Sequence, residues 1–192
     1  MEHLLVVGLG NHGQAYRYTR HNVGFMVLDE LCRRWSCPLR EGRGEYFRAM
    51  SLRGATEVTL IAPTTFMNNS GVAVREVAEE LVLGPDRILV VADDFALPLG
   101  TLRLRRNGSD GGHNGLASII YQLGDNGFPR LRCGIGVAEQ CAGEDPATFV
   151  LSPFAPEEGK AVAAMIGRAA DAVESFVHSG IDRTMTQYNR TT

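Results

Sequence analysis

Lysine is almost missing from this chain of 192 residues: Lys160 is the only one among 19 basic side chains, and the rest are arginine. Arginine forks suit phosphate, but with a net charge of -3 the whole molecule has no electrostatic pull on nucleic acid. Any such attraction must come from local clusters. Long apolar runs are missing too. The first, Leu4 to Val7, has four residues and follows no basic segment, so neither a membrane span nor a secretory signal is expected. Cys32, Cys37, Cys133 and Cys141 form no C-x-x-C pair and no metal-ligand cluster. Reduced thiols in a cytoplasmic protein are the expectation. No G-x-S-x-G nucleophile elbow and no zinc-type His/Cys spacing occur. No repeat, low-complexity segment or linker divides the chain, which reads as one domain over residues 1–192.

What is present alternates strands with helices. Residues 3–8 read as a buried strand. Residues 23–35 place Val23, Met26, Val27, Leu31 and Trp35 at helical spacing. "EYFRAMSLRG" and "EVTLIAP" read as strands joined through Gly54. A helix is expected from Ser70, its cap, to Leu83, with Gly71 weakening the first turn. "RILVVADD" reads as a strand ending in two acids, and "GTLRLRR" as another. A short helix over 115–123, the strand "RLRCGIGV" and a helix over 156–178 complete the chain. This pattern predicts an α/β fold: a central mixed, mostly parallel sheet with helices on both faces.

The first strand runs into Gly8, Gly10 and Gly13, spaced G-x-G-x-x-G as in dinucleotide-binding loops. Such a loop needs a helix starting at the glycines and an acid ending the next strand. Here about ten polar residues intervene before the helical pattern, and Asp29 and Glu30 fall inside it. NAD binding is therefore disfavoured. Gly10 and Gly13 are expected instead to let the backbone approach a ligand. Three further loops fall near probable strand ends: "TTFMNNSG", "ADDFALPLG" and "NGSDGGHNGL". Ligands bind at that edge of α/β sheets. The pooled inventory is His21, His113, Asp93, Asp94, Asn11, Asn68, Asn69 and Asn114. It contains no conspicuous nucleophile. It suits a histidine base oriented by an acid, with amides around a polar substrate: hydrolysis by activated water. Taken singly, each has an ordinary use; His21 or Asn114 could cap a helix and Phe66 could be core.

Together these stretches resemble the bacterial peptidyl-tRNA hydrolase family. "VGLGN-x-G", "TRHNVGF", "PTTFMNNSG", "ADDFALPLG", "GGHNGL", "RLRCGIG" and "FVLSPFAPEE" occur in order over roughly residues 4–158. The resemblance implies hydrolysis of the ester joining a peptide to the 3′ ribose of tRNA, without metal or cofactor, by a cytoplasmic monomer. It implies His21 as general base, Asp93 as the group holding its ring, and Asn11 as a discriminator of blocked from unblocked aminoacyl-tRNA. Tyr16, Phe66, Asn68 and Asn114 would contact the substrate near the 3′ end, with His113 beside them.

The chemistry is consistent with this. An ordinary imidazole is neutral at pH 7, and a carboxylate on its other nitrogen fixes the tautomer. Arg103 and Arg105 alternate on one strand face with Arg106 opposite, and Arg130 and Arg132 form a second pair. With the resemblance, these arginines are expected to hold tRNA phosphates. Four positions depart from the family pattern. His12 replaces a usual proline, Asn107 stands in a loop that commonly carries lysine, Ala96 replaces a second acid, and Val137 replaces a basic residue. All bear on tRNA affinity more than on the His21–Asp93 pair. A splicing-type binding module, known among plastid relatives of this fold, is the other reading; retention of His21, Asp93, Asn11, Asn68 and Asn114 speaks against it.

Overall fold

In the computed structural model, residues 2–136 and 145–189 are described. Seven strands form one sheet: β1 (Glu2–Gly8), β2 (Arg40–Glu41), β3 (Tyr46–Arg53), β4 (Thr56–Pro63), β5 (Ile88–Pro98), β6 (Leu102–Arg105) and β7 (Arg130–Gly136). Their order is β2-β3-β4-β1-β5-β7-β6. The four central strands are parallel, while β3 joins β4, β2 joins β3 and β6 joins β7 antiparallel. The central strands are buried on both faces, as parallel strands sandwiched by helices must be. Along β1, Leu4 and Val6 face one core while Leu5 and Val7 face the other.

The helices are α1 (Val23–Trp35), α2 (Ser70–Glu80), α3 (Asn114–Leu123), α4 (Pro146–Val150) and α5 (Gly159–Tyr188). α1 and α5 cover the Leu4 face, and α2 and α3 cover the Leu5 face. The expected architecture is observed, with several local corrections. Ser70 is not a cap: its hydroxyl donates to the carbonyl of Met67 (2.8 Å). Gly71 does not merely weaken α2; a Cβ there would strike the Ser118 carbonyl of α3, so the glycine permits the helices to touch. α2 stops at Glu80, before Leu83. β5 does not end at the acids but runs on to Pro98. The last helix begins at Gly159 and continues past His178 to Tyr188, broken at Gly180 (φ 75°). Thr184, fully buried, spans the break: its hydroxyl donates to the Gly180 carbonyl (2.8 Å) and lies 3.0 Å from the Ser175 hydroxyl on the preceding segment.

Beyond the break, Asn189 reaches the free edge of β6. The Leu104 N–H donates to its Oδ1 (2.7 Å), and its Nδ2 donates to the Leu104 carbonyl (3.0 Å). Cys32, Cys37 and Cys133 are free thiols; Cys141 and Val137 lie outside the described residues.

The glycines after β1 serve packing. A Cβ on Gly8 would fall on the Gly24 carbonyl of α1, and one on Gly10 would lie 2.7 Å from the Phe25 ring. The expectation that Gly10 makes room for a ligand is thus corrected: it makes room for α1. Gly13, at φ 116°, is the one that needs glycine's conformational freedom. No helix starts at this loop; two 3-10 turns, Gln14–Tyr16 and Arg20–Asn22, precede α1.

Candidate active site

The turn Arg20–Asn22, between β1 and α1, and the middle of β5 bring His21 and Asp93 together, 72 residues apart in sequence. His21 Nδ1 lies 2.8 Å from Asp93 Oδ1, with both side chains buried. The carboxylate accepts, so Nδ1 carries the proton and Nε2 keeps a free lone pair. His113 meets the same oxygen: its Nε2 is 2.9 Å from Asp93 Oδ1. Its other nitrogen is assigned by the helix it begins. Nδ1 accepts from the backbone N–H groups of Gly115 (3.1 Å) and Leu116 (3.3 Å), two orphan donors of α3's first turn. The proton of His113 therefore sits on Nε2, facing Asp93. His113 does cap a helix, and it braces the acid as well; it is as buried as His21 and lines the same cavity.

Burial would raise the Asp93 carboxyl, but the charge and hydrogen bond of His113, followed by those of His21, outweigh it and hold the group well below the usual carboxylate range. Donor atoms of His21, Asp93 and His113 lie within 4.8 Å of one another, a spacing a metal could use. The hydrogen bonds oppose that use, because a cation at His113 Nε2 would displace a proton that Nδ1, facing two N–H donors, cannot take up.

Asn11 is fixed by three contacts. Its N–H donates to Asn22 Oδ1 (2.8 Å), its carbonyl accepts from Asn22 Nδ2 (3.0 Å), and its Oδ1 accepts from the Met67 N–H (2.9 Å). With the side-chain oxygen engaged, Nδ2 is left as a donor. Asn68, exposed, lies in the turn Met67–Asn69, which packs on α3; Asn114, also exposed, is the first residue of that helix. Phe66 is 66% exposed, so it is a presented ring and not core. Tyr16 is half-buried in the turn before His21.

Around His21, Asp93 and His113 lies a cavity of about 280 Å³, walled also by Asn114, Arg132 and α4. Two side chains outside the expected set hold that wall. Arg20, next to His21, is buried with its guanidinium between the rings of Phe149 (4.7 Å) and Phe154 (4.8 Å). It forks onto both carboxylate oxygens of Glu158 (3.1 and 2.7 Å). Its backbone N–H donates to the Ser152 carbonyl (3.0 Å). The position of Arg20 beside His21 and the acid in "PFAPEE" were the available signals, though neither shows periodicity.

The arginines divide. Arg103 and Arg105 are exposed on β6, alternating with buried Leu102 and Leu104. Arg106 pairs with Asp182. Arg130 is no surface ligand: it is 1% exposed and donates to the carbonyls of Gly108, Ser109, Asn126 and Phe128, tying two loops together. Its burial, and then the charge of Arg132, press its pKa down. Arg132 lies 3.1 Å from Asp94 and packs beneath Gly111. It is a half-covered wall of the cavity and not part of the β6 stripe.

Residues 5–192 match the peptidyl-tRNA hydrolase family. A peptidyl-tRNA hydrolase of Aquifex aeolicus is 46% identical over 192 residues, covering 99% of this chain and 98% of the relative. One from Chlorobaculum parvum is 43% identical over 187 residues, covering 97% and 98%. The crystal structure of peptidyl-tRNA hydrolase from Acinetobacter baumannii superposes with a TM-score of 0.87 at 32% identity, covering 98% of this chain and 95% of that one.

Proposed function

Since the chain belongs to the peptidyl-tRNA hydrolase family, we propose that it cleaves the ester between peptide and tRNA with His21 as general base. The observation that carries this reading is the single oxygen of Asp93 shared by two imidazoles. It fixes the proton of His21 on Nδ1 and leaves Nε2 to take one from water.

The water loses its proton to Nε2 and attacks the ester carbonyl. The tetrahedral oxyanion collapses, the C–O bond to the ribose breaks, and the ribose oxygen takes the proton back from His21. Free tRNA and a peptide acid result. The imidazolium formed between the steps is stabilised by the Asp93 carboxylate. A positioned base of this kind contributes about 10²–10⁴-fold. Asn11 Nδ2 and the exposed amides of Asn68 and Asn114 offer donors for the acyl group and the oxyanion. Free aminoacyl-tRNA would instead bring an α-ammonium, itself only a donor, against Asn11, which is a strong basis for rejection. Phe66 and Tyr16 supply ring faces for the 3′ end, and Arg132 lines the cavity around His21. Arg103 and Arg105 hold phosphates of the tRNA body. The protein acts in the cytoplasm as a monomer and a single domain.

The test compares N-acetyl-aminoacyl-tRNA with free aminoacyl-tRNA, using wild type and His21→Ala. Wild type should cleave only the blocked substrate, and His21→Ala should lose at least about a hundredfold in kcat. Full activity in His21→Ala would sink the base assignment.

A further inference from the structure

A second cavity, of about 380 Å³, is lined on one side by the hydrogen-bonded pair Asn11 and Asn22, the latter next to His21 in sequence. Phe25 and Met26 of α1, Leu39, Phe47 of β3 and Ala62 of β4 form its apolar walls. The ring of His12 stands 5.4 Å from that of Phe47 and forms part of the same wall. Arg17 and Asp29, both exposed and of opposite sign, also line it. No step of the hydrolysis uses this space.

Three observations connect it with the substrate. Asn11 and Asn22 line the cavity, and Asn11 Nδ2, left as a donor by the three contacts that fix the residue, is the one offered to the acyl group. The cavity lies on the β4 side of β1, while Asp93 lies on β5, the neighbour on the other side. Strands are spaced at about 4.8 Å, so the separation is roughly 10 Å, the reach of about three extended residues. Five apolar side chains form one wall, and the charges on the polar side, Arg17 and Asp29, are one of each sign, which suits neither a phosphate nor a charged side chain.

We propose that this cavity receives an apolar side chain of the peptide, two or three residues from the ester, with His12 and Phe47 as its specificity-determining wall. The proposal rests on the placement of the reaction at His21. His12 would then do more than replace a proline. It extends an aromatic surface over the side chain while its neighbour Asn11 reads the acyl group.

The experiment uses one tRNA with one ester-linked glycine, carrying N-acetyl-Leu-Gly-Gly, N-acetyl-Gly-Leu-Gly or N-acetyl-Gly-Gly-Gly. Burying one leucine should raise kcat/KM of a leucine substrate over the all-glycine one by about ten- to a hundredfold, mainly through KM. Met26→Trp, which fills the cavity, should bring that ratio to within about twofold, and His12→Pro should reduce it. Equal wild-type rates on the three substrates would overturn the proposal, as would a ratio that survives both variants. A uniform loss on all three would also overturn it, marking the space as holding the tRNA's terminal base. Full cleavage by His21→Ala is a separate result, and it removes the site assignment instead.

Discussion

Replacing Asp93 with asparagine isolates the charge from the shape. The amide that results keeps a carbonyl oxygen where Oδ1 of Asp93 now accepts from His21 Nδ1 (2.8 Å) and His113 Nε2 (2.9 Å). Both hydrogen bonds can therefore persist, and the ground-state pocket should be nearly unchanged. What disappears is the counter-charge to the imidazolium that forms when Nε2 takes the proton of water. Two unit charges about 4 Å apart attract by about 4 kcal/mol at an effective dielectric of about 20, and about 1.36 kcal/mol is tenfold in rate. Part of that attraction is recovered through the amide dipole, so kcat should fall by about 10²–10³ while KM changes less than about threefold. Steady-state hydrolysis of N-acetyl-aminoacyl-tRNA reads both. A fall below tenfold, or an effect confined to KM, would refute the reasoning. Stability carries a second signature. The Asp93 carboxyl is depressed in the folded chain, so its contribution is present above the unfolded value, near about pH 3.9. It is lost as pH falls through the folded value. Asp93→Asn should lack that acid-side loss, and acid titrations of wild type and variant should converge at low pH.

Arg20→Ala removes one partner of a largely buried ion pair with Glu158. It should cost about 3–5 kcal/mol, a drop in Tm of roughly 6–20 °C, and a Tm within a degree of wild type would deny the pair a stabilising role. Gly24→Ala places a Cβ on the backbone of Leu9 and the Val91 carbonyl. Urea denaturation should show a loss of at least about 1–3 kcal/mol, and an unchanged midpoint would mean the contact between β1 and α1 relaxes freely. Arg105→Ala should weaken tRNA binding and lower the slope of log K against log salt by about one; an unaltered slope would return the β6 face to solvent exposure alone.

The architecture was legible because periodicity is local. Alternation in "GTLRLRR" set Arg103 and Arg105 on one face, and in the structure Leu102 and Leu104 fill the other; helical spacing marked Val27 and Leu31, which lie in the core. The His21–Asp93 pair was legible only through ordered motifs, since nothing local links residues 72 apart. Arg130 shows the limit. Beside Arg132 in "RLR" it reads as half of an exposed pair, yet loops over 108–109 and 126–128 fold onto it and supply carbonyls. Arg20 was hidden for a related reason: its cage of Phe149, Phe154 and Glu158 comes from more than 125 residues downstream. The ten further residues of the last helix, from Ser179 to Tyr188, could not be read past Gly180, whose break is sealed by the buried Thr184 hydroxyl.

The Asn189 amide has a meaning beyond its two hydrogen bonds. A β-strand left at a sheet's margin offers unpaired N–H and C=O groups to any passing chain. At Leu104, one side chain from the end of a helix answers one donor and one acceptor, as a single residue of an eighth strand would. The margin is thus occupied at Leu104, while Arg103 and Arg105 keep their view of solvent. A shield of one amide blocks strand pairing at Leu104 and leaves the arginines on either side of it exposed.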